Sequence, residues 1–248
     1  MTAFERLQED TIENNLLRAL KIEDWARLSP LLREWQAEPG AVLHRPGDEV
    51  QFAYFPRGAS LISYLVVLKD GRAIETAMVG REGAIGGFVS QGRLPAYTRA
   101  EVQCGGRFFR VGLRELEEIK SGSPSVRALF ARYADCLLSQ IFQSVACNAT
   151  HSIEQRTAKW LLAAVERTGD TEISLTQEQM AAMLGVGRSY LSRVIANLKA
   201  KGVIEARRSR ISVSDPQRLE ATACECTRSV SRHFDEVLRG VYPHGDDH

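Results

Sequence analysis

Residues 176–201 read TQEQMAAMLGVGRSYLSRVIANLKAK, and this stretch decides the fold. Thr176 and Gln179 stand three apart, the spacing of a capping box. The hydroxyl accepts from a backbone N–H and the amide reaches back, so a helix begins at Gln177. Met180, Ala181, Met183 and Leu184 give it an apolar side. Gly185 is free to take the left-handed conformation that ends a helix. Only Val186 and Gly187 separate it from a second run, with Leu191, Val194, Ile195 and Leu198 on one face. The pattern is helix, tight turn, helix. Small Ala181 lets the helices approach, and Val186, Leu191 and Val194 fill the angle between them.

The opposite face of the second helix carries Arg188, Ser189, Tyr190, Ser192 and Arg193 near its N-terminal end. Recognition helices present base-reading side chains there, and an arginine can donate a bidentate pair to guanine O6 and N7. Lys199 and Lys201 follow further along. Residues 203–206 and 211–213 then read as two strands flanking Arg207, Arg208 and Arg210, a two-stranded wing with a basic tip suited to phosphates. Thr176 and Gln177, at the start of the first helix, complete the candidate DNA-contacting set.

The chain has 248 residues and a net charge of +1, so only the local charge balance is informative. Residues 151–214 carry 10 Lys/Arg against 6 Asp/Glu, and within 188–213 Glu205 is the lone acid. One basic stripe on a near-neutral chain implies a localised polyanion contact. No apolar run approaches the roughly 20 residues of a bilayer span, so no membrane partner is expected. Residues 1–10 lack the apolar core of a secretory signal, which makes the cytoplasm the expected location.

Working outward, Ser152 and Gln155 form another capping box, and Trp160, Leu161, Ala164 and Val165 mark the buried face of a helix that stops before Gly169. Upstream, Ser123-Pro124 starts a run free of Gly and Pro until Gly169. Phe130, Tyr133, Leu137, Ile141 and Val145 recur at spacings of three or four, and Leu129, Leu138 and Phe142 widen the stripe. A helix over 124–149 would span about 39 Å. Its stripe is broad enough for two partners, the preceding domain and a second copy of the chain, so these five residues are the expected dimerisation face. Between residues 41 and 111 glycines punctuate short apolar runs at 52–55, 61–68, 73–79, 100–102 and 108–111, as in a sandwich or barrel. Asp70-Gly71 is a hairpin turn between two of them. Residues 4–36, through Trp35, show helical spacing.

The five cysteines, Cys104, Cys136, Cys147, Cys224 and Cys226, make no disulfide framework. Cys224 and Cys226 form a C-x-C pair with no further ligand nearby at zinc-finger spacing, so they read as small apolar residues. No metal, cofactor or catalytic residue is expected. A β-domain enzyme would need clustered metal ligands, whereas His44 is followed only by Asp48 and Glu49, with no His-x-His.

On these residues the chain resembles the Crp–Fnr family of transcription regulators, over about residues 15–228 and most strongly at 176–213. The resemblance implies an α+β fold with an N-terminal antiparallel β-roll sensor domain, a long dimerisation helix and a C-terminal winged helix-turn-helix domain. The implied segments are 1–40 helical, 41–122 cyclic-nucleotide-binding-like β-roll, 123–150 dimerisation helix and hinge, 151–228 DNA-binding domain and 229–248 tail. The tail is expected to be disordered or to cap the dimer. The family often shows Arg-Glu-x-x-x-Arg in its recognition helix. Here Arg188 and Arg193 match and Ser189 replaces the acid, which would change the half-site read. Cyclic-AMP-binding members carry a Gly-Glu pair and, further on, an Arg-Ser or Arg-Thr. The matching stretches here are Ala84-Ile85-Gly86 and Leu94-Pro95-Ala96, and Arg93 and Arg99 are out of register. Burying a cyclic phosphate without a cation is costly, so cyclic AMP is not expected as the effector. An effector at Gly83, Ile85 and Gly86 stays unidentified. No cysteine precedes Cys104, so the family's iron–sulfur cluster is not expected. The implied function is a non-enzymic, homodimeric regulator of double-stranded DNA, with RNA polymerase as a further candidate partner and a hinge near 148–152. The alternatives are a metal-dependent β-roll enzyme and a protein-interaction module.

Overall fold

The structure is a computed structural model that describes residues 12–88 and 94–242. The chain enters through a short turn of helix, α1 (Asn15–Arg18), then α2 (Ile22–Leu28) and a 3-10 turn at Ser29–Leu31. Asn14 fixes this entry. Its side chain accepts from the Leu17 N–H and donates to the carbonyls of Pro56 and Gly83 at 2.9 and 2.8 Å, all within the core. Strands β1 (Arg33–Ala37), β2 (Val42–His44), β3 (Phe52–Pro56), β4 (Leu61–Val67), β5 (Ala73–Val79), β6 (Arg99–Cys104) and β7 (Gly106–Gly112) build the roll. They form two antiparallel sheets, ordered β1-β7-β3 and β2-β6-β4-β5. The β4–β5 turn has the expected chemistry: Gly71 takes φ +85°, and Asp70 accepts from the Arg72 N–H.

Two expectations fail at the roll's entry. Residues 33–37 are strand, not helix, and the roll therefore begins well before residue 41. Leu28, Leu31, Leu32 and Trp35 share helical spacing, but Pro30 limits the helix to one 3-10 turn. Trp35 then pairs opposite Phe108 and packs on Tyr54 and Phe108 at ring distances of 5.2 and 5.5 Å. Aromatic packing across the sheet outweighs a weak helical signal.

After α3 (Leu113–Gly122), α4 (Pro124–Thr150) runs for 27 residues, about 40 Å. Ser123 caps it, accepting from the Val126 N–H, and also donates to the buried Asp24 carboxylate at 2.6 Å. One face of α4 packs inside its own chain. Val126, Phe130 and Tyr133 are buried, with Phe88 stacked on Phe130 at 5.3 Å and the Tyr133 hydroxyl donating to the Ala84 carbonyl. Phe130, Tyr133 and Leu137 thus do not form a free dimerisation face, and Ile141 is half-buried beside them. The large exposed apolar side chains of this helix are Leu138, Phe142 and Val145, the last two 68% exposed.

The helix breaks at His151, which is extended (φ −110°, ψ 148°), and Ser152 caps α5 (Ile153–Thr168). Strand β8 (Glu172–Ile173), α6 (Gln177–Leu184), α7 (Arg188–Ala200), β9 (Ile204–Arg207) and β10 (Arg210–Val213) follow. The wing has three strands, ordered β8-β10-β9, because β8 pairs with Ile211 and Ser212. Helices α8 (Pro216–Glu220) and α9 (Cys226–Val237) close the chain. The 228/229 boundary therefore falls inside a helix. α9 packs along α4, where His233 meets Asp135 at 2.9 Å, and Tyr242 donates to the Glu82 carbonyl.

Roll and C-terminal domain share a core, since Leu61, Leu65 and Met78 join Trp160, Leu161 and Leu184. Two buried polar ties cross the same junction. The Arg167 guanidinium donates to Glu82 at 3.0 Å, and the Trp160 indole donates to Glu75 at 2.8 Å. Ser63 donates to the other Glu75 oxygen. Burial pushes the Glu75 carboxyl up to about 7, more than these donors pull it down. The folded chain therefore holds this proton where the unfolded chain releases it, and stability falls as pH rises from about 4.5 to about 7. Glu75→Gln removes that slope. Relative to the wild type, the variant should gain about 3 kcal/mol between pH 4 and pH 8. Urea denaturation across this window measures the gain, and parallel pH profiles for the two proteins would refute it.

Candidate nucleic-acid interface

The helix-turn-helix forms as its local signals require. In the Thr176 box the hydroxyl accepts from the Gln179 N–H at 3.2 Å, and the Gln179 amide oxygen accepts from the Thr176 N–H at 3.0 Å. Gly185 takes φ +71°, and the Val186 N–H returns to the Ala181 carbonyl at 2.9 Å. Ala181, Leu191, Val194, Ile195 and Leu198 are buried. That interior leaves α7 one rotational setting, with Arg188, Ser189, Tyr190 and Arg193 exposed. Its N-cap, Gly187, has no side chain, so the first N–H groups of α7 remain for an outside acceptor such as a phosphate.

The candidate side chains divide into two kinds. Among the described residues, Arg188 reaches only Glu178, at 3.6 Å with both side chains at least 70% exposed, a weak pair that water screens. The Arg193 guanidinium lies over the Tyr190 ring, 5.5 Å from its centroid, which pre-orients it at the surface. Lys199, Arg207 and Arg208 are exposed. Arg210 pairs with Glu172 across the β10–β8 edge at 2.6 Å. Lys201 is tied to Glu154. By contrast, Ser192 is half-buried and donates to the Gln177 side-chain oxygen at 2.9 Å. The Thr176 hydroxyl is spent inside its cap. The Gln177–Ser192 bond therefore ties the two helices together and Thr176 fixes the start of the first, while Arg188, Tyr190, Arg193, Arg207 and Arg208 form the exposed surface.

At the roll, Gly83 and Ile85 serve packing. A Cβ on Gly83 would stand 2.0 Å from the Tyr133 hydroxyl, and Ile85 is fully buried, exchanging backbone bonds with Tyr54. Of the three effector candidates, Gly86 alone lines a hollow of about 270 Å³, together with His44, Tyr64, Phe88 and Leu137. No Lys or Arg is among the described lining residues. Arg99 is engaged with Glu101 at 3.1 Å, and Arg93 lies outside the described residues. Burial lowers the His44 pKa against the pull of Asp48, which keeps the imidazole neutral at physiological pH. Among the described residues, His44, Asp48 and Glu49 do not form a three-ligand cluster.

The cysteines differ from the sequence reading. The fold brings Cys147 and His151 against Cys224 and Cys226, although 77 residues separate Cys147 from Cys224. A search for ligands close in sequence to the C-x-C pair misses them. The available signal was the C-x3-H spacing at the end of α4.

Residues 155–222 match the Crp-like helix-turn-helix domain family. No curated protein matches the chain. Among solved structures, FixK2 from Bradyrhizobium japonicum superposes with a TM-score of 0.65 at 19% identity, covering 78% of this chain and 98% of that one. The c-di-GMP-responsive global regulator CLP of Xanthomonas campestris gives 0.62 at 15% identity, covering 78% and 99%. A CRP-family transcriptional regulator from Thermus thermophilus gives 0.63 at 20%, covering 76% and 96%. Residues 155–222 thus carry a Crp-like helix-turn-helix domain, and the chain as a whole has the fold of these solved structures.

Proposed function

We propose that the protein is a homodimeric, sequence-specific DNA-binding transcription regulator with no enzymatic activity. One observation carries this reading: the buried core of the helix-turn-helix turns Arg188, Ser189, Tyr190 and Arg193 outward together, beside a wing tipped by Arg207 and Arg208. Two chains pair along Leu138, Phe142 and Val145 of α4, and their recognition helices enter major grooves about 34 Å apart. The site of action is the cytoplasm, and RNA polymerase is a further partner. No described helix is long and apolar enough to cross a membrane.

The effector, where one acts, enters the hollow beside Gly86 and touches Leu137 of α4. A cyclic phosphate would meet no cation among the described lining residues, so a neutral or apolar ligand suits it better. Selection of duplexes from a random pool tests the function. A two-fold-related consensus with binding that weakens steeply with salt is expected, and enrichment of no sequence would refute it.

A further inference from the structure

The junction between the long helix and the DNA-binding domain holds a cluster that the regulator's function does not use. Cys147 lies in the last turn of α4, and His151 is the extended residue at the break. Cys224 lies just before α9, and Cys226 is the first residue of that helix. Their ligating atoms all lie within 4.8 Å of one another, and the three cysteines are buried. The Cys147 and Cys224 sulfurs are 3.6 Å apart, and the Cys226 sulfur is 3.5 Å from His151 Nδ1. Tetrahedral zinc with bonds of about 2.3 Å to sulfur and 2.0–2.1 Å to nitrogen requires ligand separations of about 3.8 and 3.6 Å.

The surroundings are those of a metal site. His151 Nε2 lies 3.3 Å from a Glu225 carboxylate oxygen, an arrangement that places the ring proton on Nε2 and leaves Nδ1 as ligand. The Thr150 hydroxyl, 3.2 Å from Nδ1, already donates to the Ala146 carbonyl. Gln143 donates an N–H to the Cys226 sulfur at 3.1 Å. Three thiolates and a neutral imidazole around a divalent ion leave one negative charge, and Arg156 and Lys159 stand close enough to act on these sulfurs.

We propose that Cys147, His151, Cys224 and Cys226 bind one Zn(II) that clamps the C-terminal segment to the hinge. Soft thiolate ligands in a closed four-coordinate set select zinc over harder divalent ions. Binding forms three Zn–S bonds and one Zn–N bond. The three thiols release three protons to solvent, and His151 keeps its single proton on Nε2. The ion joins the break at His151 to the chain beyond the wing, so it fixes the angle between α4 and the recognition helix.

Elemental analysis of the full chain, expressed with added zinc and purified under reductant, should find one zinc per chain. Cys147→Ser and Cys224→Ser should lose it, while Cys104→Ala and Cys136→Ala keep it. Should the serine variants fail to fold, Co(II) exchange into the wild type decides. Visible ligand-field bands of tetrahedral cobalt and a near-ultraviolet thiolate charge-transfer band are expected, and His151→Ala should shift the visible bands. Trace metal with no cobalt–thiolate band overturns the proposal. So does a Cys147–Cys224 disulfide in place of metal, seen as a mass deficit of two hydrogens. These readouts need no DNA, so a zinc-loaded protein indifferent to every duplex would refute the regulatory reading alone.

Discussion

Phe142→Asp should convert the dimer to a folded monomer and abolish binding to two-fold sites. The Phe142 ring is 68% exposed in the middle of a row with Leu138 and Val145, spaced four and three residues along α4. That spacing sets them on one face of the helix. Burying a phenylalanine side chain is worth about 1.5–3 kcal/mol, and a two-fold interface buries it twice. Replacing both rings with carboxylates adds the cost of desolvating like charges brought together. The association constant should fall by at least about a thousandfold. Sedimentation equilibrium reads the mass directly. Binding to a two-site operator should fall with it, because each half-site loses the effective concentration that its linked partner supplies. Leu137→Asp is the control. Leu137 is packed with Ile62, Val79 and Phe108 of the roll, so its replacement should lower the melting temperature rather than leave a folded monomer. A wild-type monomer, or an unchanged dimer in Phe142→Asp, would remove this face from the interface.

The contrast between Leu137 and Phe142 shows what the sequence could and could not specify. Periodicity alone predicts that residues 124–149 form a helix with a broad apolar stripe. Which part of the stripe meets the roll depends on where Phe88 and Ala84 arrive, and both come from the segment that follows β5. Residues 176–213 were legible almost completely, because cap, turn glycine, apolar offsets and wing lie within a few residues of one another and agree. Trp35 failed for the opposite reason. Its spacing fitted a helix, and only the distant Phe108 and Tyr54 decide for a strand. β8 is two residues long, too short to leave an alternating pattern, and only its partner β10 defines it. The thiol cluster is the extreme case, since its ligands come from two chain segments that only folding brings together. Gln177 and Ser192 read from the sequence as DNA-contacting residues, whereas their bond to each other, which makes them positioning groups, is a tertiary fact.

Arg188→Ala and Arg193→Ala should each relax the selected consensus at one base position per half-site. A bidentate arginine–guanine contact discriminates by about 1–3 kcal/mol, so a symmetric operator with two half-sites loses about 2–6 kcal/mol, roughly thirtyfold or more. The loss should vanish on operators already substituted at that position, which separates base reading from phosphate binding. Arg193 has a second dependency. Its guanidinium rests over Tyr190, so Tyr190→Ala should reproduce part of the Arg193→Ala loss at the same base position. Arg207→Ala and Arg208→Ala at the wing tip should behave differently, weakening all duplexes alike and reducing the salt slope by about one for each phosphate no longer neutralised. Ser189 gives the sharpest contrast within the helix. It stands exposed beside Arg188, and a serine hydroxyl accepts or donates, so the neighbouring base should be read loosely. Ser189→Glu, which supplies an acceptor only, should tighten that position toward cytosine. A uniform loss across sequences for Arg188→Ala, with an unchanged consensus, would instead assign that arginine to the backbone. The sequence reading would then rest on Arg193 and the deformability of the site.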